Sequence, residues 1–181
     1  MAGRGVVAES YYGKTKIESM KTMQEFMEHT IQDLYSAENQ IIDALPDLID
    51  RAQNDQLRQA LQLHRQQTQQ QAQRLEQIAQ QLGIDPDGET CMAMQGLVEE
   101  AQDLLSQLEE GPVADAAIIG AAQKVEHYEI AAYGTARTLA QQAGQNQIAE
   151  LLAQTLEEEK QTDEKLTSIA TSQVNQQAAQ S

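Results

Sequence analysis

The stretch KVEHYEIAAYG, residues 124–134, decides how the chain is read. Glu126 and Glu129 stand three apart and Tyr133 follows four later, so on a helix the three share one face. Ile130 and the neighbouring alanines leave little else to bury, which makes that face the inner one. A helix that turns two carboxylates toward its own core needs something there to meet them, because a buried carboxylate without a partner is costly.

The rest of the sequence fits a helical frame around that stretch. The chain has 181 residues and a mass of 20.0 kDa, which suits one domain. Hydrophobic residues make up 40%, enough for a core, and long runs of Ala, Leu, Gln and Glu favour helix. Clusters of β-branched residues are nearly lacking, so the fold class expected is all-α.

A net charge of −16 excludes general nucleic-acid binding and disfavours anionic membranes, while it draws cations. One cysteine, Cys91, allows neither an intrachain disulfide nor a cysteine-based zinc cluster, and a reducing cytoplasm is the expected compartment. The apolar run GVVA is too short for a signal peptide, and AAIIGAA, residues 116–122, is far too short to span a membrane.

Four long helices are expected. The first covers 18–45, with Phe26, Ile31, Leu34, Glu38, Ile42 and Leu45 on one stripe; Pro46 should end or kink it, leaving a short turn at 47–53. The second covers 55–82, with Leu57, Leu61, His64, Gln71, Leu75 and Ile78 aligned and Gly83 as its stop. The third covers 114–143. The fourth covers 146–170, with Ile148, Leu152, Leu156, Glu159, Asp163 and Leu166 aligned. Short connections make two antiparallel hairpins. Residues 83–113 join them by a long crossover holding a short amphipathic helix between Gly96 and Gly111. Residues 1–16 are expected to be a flexible arm, 17–170 the bundle, and 171–181 a frayed tail.

Depth brings the inward polar residues together. Glu38 lies 15 residues before a turn placed near residue 53, and Gln67 lies 14 after it. Glu129 and Glu159 each lie 15 residues from a turn near Gly144. At about 1.5 Å per residue, each pair sits roughly 22 Å from its turn. Hairpins packed in register would therefore gather up to five carboxylates and the His64 imidazole in one layer. Arg74, at the edge, is the one cation on the inward faces. Protons or multivalent cations could relieve that charge, and an oxygen-rich set with an imidazole suits iron or manganese. Tyr133 is placed to hydrogen-bond a ligand, and His127 and His29 are read as surface residues.

Five segments, LYSAENQIIDALP (34–46), LHRQQTQQQAQRLEQI (63–78), CMAMQGLVEE (91–100), AQKVEHYEIAAYGT (122–135) and LEEEKQTDEKL (156–166), resemble in order the blocks of the YciE/YciF ferritin-like stress proteins. The resemblance spans about residues 20–170. It implies a ferritin-like four-helix bundle, a homodimer and a bacterial stress context. It also implies two bound metal ions, iron or alternatively manganese, held by Glu38, His64, Glu126, Glu129, Glu159 and Asp163. A glutamate usually follows His64 by three residues in the family; here that seventh site position is Gln67, a weaker ligand. Thr162 stands where other ferritin-like proteins carry a histidine. Two functions follow as expectations. One is a redox-active metal protein that oxidises ferrous iron with a small oxidant, peroxide or oxygen. The other is a non-catalytic stress or interaction protein whose site is degenerate.

Overall fold

The computed structural model describes residues 19–181, so the arm expected at 1–16 lies outside the described residues. Helix α1 runs Met23–Arg51. It starts later than residue 18 because Thr22 and Glu25 close a capping box: the Thr22 hydroxyl accepts the Glu25 N–H at 3.1 Å, and the Glu25 carboxylate accepts the Thr22 N–H at 2.9 Å. Pro46 does not end the helix. It forgoes one bond to the Ile42 carbonyl, but Leu45, Leu48 and Ile49 pack on the same apolar cluster and hold the next turn helical.

Helix α2, Asp55–Leu82, starts on Asn54, whose side chain accepts the Gln56 and Leu57 N–H groups. It stops at Gly83 with φ at 71°, a left-handed conformation that glycine adopts without strain. Helix α3, Met92–Ser106, begins four residues before the glycine expected to bound it. Cys91 caps it, and Cys91 and Met94 are fully buried, which outweighs the roughly 1 kcal/mol that Gly96 costs inside a helix. Helix α4, Pro112–Gln142, places proline in its first turn. Helix α5 runs Asn146–Ile169.

The chain stays helical beyond residue 170. Residues Ala170–Val174 continue as a π-helical turn and Asn175–Ala178 as a short helix, α6. Val174 is fully buried in the core and accounts for this ending.

Helix α1 packs on α2 and α4, and α5 packs on α4 and α2. Two hairpins joined by the α2–α4 crossover therefore close a ferritin-like four-helix ring. Helix α3 lies outside the ring, against α1 and α4. The hairpins are locked in register at one end. Asp115, in the first turn of α4, is buried and accepts the backbone N–H groups of Gln53 and Asn54 at 2.8 and 2.9 Å.

The core comes in two apolar slabs. Ile41, Leu45, Leu61, Ile118 and Leu166 belong to the slab nearer that lock. Ile31, Leu34, Leu75, Tyr133 and Leu152 belong to the other. Along each ring helix a polar stretch separates them.

Candidate metal centre

Each ring helix delivers a charged or imidazole side chain between the slabs. Glu38 sits between Leu34 and Ile41, His64 just past Leu61, Glu126 and Glu129 before Tyr133, and Glu159 before Leu166. All four glutamates have no exposed surface, and His64 is 3% exposed.

Their ligand atoms converge in two groups. His64, Glu126 and Glu129 form one, and Glu38, Glu129 and Glu159 form the other; within each group the atoms lie within 4.8 Å of one another. Glu129 belongs to both. The two groups thus adjoin, with one carboxylate common to them.

Few protein partners serve this layer. Tyr133 donates its hydroxyl to Glu38 Oε1, and the Gln71 amide donates to Glu159 Oε1. His64 Nε2 comes within 3.3 Å of Glu126 Oε1 without forming a hydrogen bond. Six carboxylate oxygens are left without any partner: Oε2 of Glu38 and of Glu159, and both oxygens of Glu126 and of Glu129. A buried acceptor left unpaired costs about 1–3 kcal/mol, and more when charged. A fold that is stable by only about 5–15 kcal/mol does not gather six of them without compensation.

Electrostatics agree. Burial above all, then the charge of Glu159, pushes Glu38, Glu126 and Glu129 well above the usual carboxylate range. Glu159 is raised to about 7, again chiefly by burial. Burial lowers His64 to about 4, so its imidazole is neutral at neutral pH and keeps a lone pair for a cation. Arg74 offsets little of this. It is held at the rim by Thr155 and by Glu158, at 3.0 and 3.1 Å. Oxygen-rich buried donors with orphaned lone pairs and one neutral imidazole are a donor set suited to a hard or borderline divalent metal.

Two of the seven expected site residues do not join these groups. Gln67 is only half-buried, and the fully buried Thr68 faces inward at its level instead. Asp163 is half-buried and is held by Gln123 at 2.9 Å and by His127 at 3.4 Å, with Thr162 taking the inward place. The stripes step alternately by four and three residues: 57, 61, 64, 68, 71, 75 on α2 and 148, 152, 155, 159, 162, 166 on α5. Gln67 and Asp163 each fall one residue off that line. The same drift puts Met27 and Ile41 in the core, where Phe26 and Ile42 were expected, and leaves Phe26 41% exposed. His127 is exposed, as read, though paired with Asp163, and Met20 and Met23 are exposed while Met27 is core.

Two features were not legible as site residues. Gln71 aligns inward but was not taken for a site residue, and here it orients Glu159. Asp115 gave no signal beyond an acidic first turn.

This geometry sits in a chain whose residues 22–179 match the family described as a domain of unknown function, DUF892. Over 161 residues it is 45% identical to protein YciF of Escherichia coli K12, covering 88% of this chain and 97% of that one. The chain belongs to the YciF family. Its fold superposes on the crystal structure of the E. coli stress protein YciF with a TM-score of 0.82 at 46% identity, covering 86% of this chain and 99% of that one. YcfI of Rhodopseudomonas palustris gives the same TM-score at 40% identity, covering 85% and 98%. This YciF relative therefore spans nearly the whole length of both.

Proposed function

We propose that this YciF-family chain holds a pair of redox-active metal ions, iron or alternatively manganese, in the layer between its two apolar slabs, and turns them on peroxide or oxygen. The observation that carries this reading is the pair of adjoining three-ligand groups that share Glu129 among six orphaned carboxylate oxygens. Bound iron would supply the electrons that reduce the oxidant.

The chain's own residues do the rest. Glu129, which gives a ligand atom to both groups, would be shared by the two cations. Tyr133 fixes one oxygen of Glu38, and Gln71 fixes one oxygen of Glu159, which leaves the second oxygen of each without a partner and free to ligate. His64 offers the single nitrogen of the set. The apolar slabs on either side limit water. The net charge of −16 favours cation entry and disfavours nucleic acid as a partner. Among the described residues no helix is long and apolar enough to cross a membrane. Work as a homodimer in the cytoplasm belongs to the same reading and is supported by family likeness alone; light scattering of the purified chain tests it. The E. coli relative is described as a stress protein, and a role in stress is proposed here on that likeness.

Anaerobic ferrous loading followed by peroxide addition tests the function. Stoichiometric peroxide loss with matching ferrous oxidation is expected from the native chain and not from Glu129→Ala. Equal rates for the two would defeat the proposal. The non-catalytic reading would then stand.

A further inference from the structure

Helix α3 roofs a cavity of about 370 Å³ in the groove between α1 and α4. Its sides are apolar, with Leu48 from α1, Val98 and Leu105 from α3 and Val125 from α4. At its floor are His64 and Glu126, the outer members of one ligand group. Both Glu126 oxygens and the second imidazole nitrogen of His64 lack a hydrogen-bond partner. An apolar chamber that ends on two buried, unpartnered polar side chains has the form of a small-molecule site.

Charge narrows the occupant. The cavity's charged lining includes the exposed Asp47 and Asp50. Arg51 also lines it; its Nη2 is committed to the Leu105 and Leu108 carbonyls at 2.8 and 3.0 Å, closing the C-terminal end of α3, and its Nε is buried without a partner. The two aspartates at the mouth outnumber the one arginine, and apolar walls disfavour any charge, so an anionic head is disfavoured. Size narrows it further: a cavity of about 150 Å³ houses benzene, so this one has room for roughly two rings or an equivalent chain.

We propose that this cavity binds a neutral, largely apolar organic molecule whose single hydrogen-bonding end reaches Glu126 and His64. The position of that end beside a metal rests on the metal-centre reading; the binding itself does not.

The test uses the full chain, metal-free and loaded with manganese(II), with 2-naphthol as the neutral probe and 2-naphthoate as its anionic counterpart. Fluorescence titration is expected to show saturable 2-naphthol binding at one site per chain, with 2-naphthoate at least about tenfold weaker. Ala101→Phe and Ala44→Phe, which fill the chamber from half-buried positions on α3 and α1, should each abolish probe binding while manganese content and melting stay as in the native chain. In the loaded protein, manganese should broaden the proton resonances of bound 2-naphthol. Probe binding untouched by both substitutions, equal affinity for the two probes, or no saturable binding in either form would overturn the proposal. Probe binding in a chain that takes up no manganese would support the cavity and count against the metal centre alone.

Discussion

Glu129 gives a ligand atom to both groups, whereas Glu159 serves one, and the two side chains should therefore respond differently to the same change. Glu129→Gln is expected to lose both ions, and Glu159→Gln to keep the one beside His64; elemental analysis of each variant checks this, and equal losses would contradict it. Tyr133 is fully buried and its hydroxyl meets Glu38. Tyr133→Phe leaves one more carboxylate oxygen bare and should cost about 1–3 kcal/mol in the metal-free protein. Metal-loaded protein should lose less, as seen in paired denaturant titrations. At this scale the sequence was informative because a glutamate in an apolar stripe is conspicuous. Gln67 and Asp163 each lie one residue from the more deeply buried Thr68 and Thr162, a distinction finer than the width of an apolar stripe read from sequence.

Helix ends and loop lengths showed where the elements lie, and depth counted from the two turns put Glu38, Glu129 and Glu159 at one level. That count assumed hairpins in register, and it could not reveal what enforces the register. Asp115 does so, joining α4 to the α1–α2 turn through two hydrogen bonds to partly buried backbone. Asp115→Ala should cost about 1–3 kcal/mol, since it removes both bonds. Asp115→Asn, which can keep an acceptor, should cost less; urea titration ranks the two, and the reverse order would contradict the assignment. Helix α1 runs on past Pro46, and the chain stays helical past residue 170, for one reason. Propensity is local, while the burial of Leu45, Leu48 and Val174 that overrides it comes from distant helices.

For the molecule as a whole, the carboxylate layer sets how stability depends on pH. Glu159 titrates near 7 in the fold, against an ordinary 4.5, so folding favours its protonated form. The stability this confers is complete below pH 4.5 and is lost as pH climbs to 7. Glu38, Glu126 and Glu129 shift in the same direction. His64 opposes them, because its folded value of about 4 against 6.5 takes stability away as pH falls between those limits. One imidazole against four carboxylates should leave the metal-free protein more stable at about pH 5.5 than at about pH 7.5. Melting curves at the two values check the sign, and bound metal should remove most of the difference by replacing protons in the layer.

The central claim is that the buried glutamates are there to hold cations. Its most direct test is elemental analysis of the native chain after anaerobic loading with ferrous iron and, separately, with manganese(II). Two ions per chain, one for each three-ligand group, is the expected result. Occupancy near zero with both metals would contradict it, and would mean that protons alone hold the carboxylate layer together.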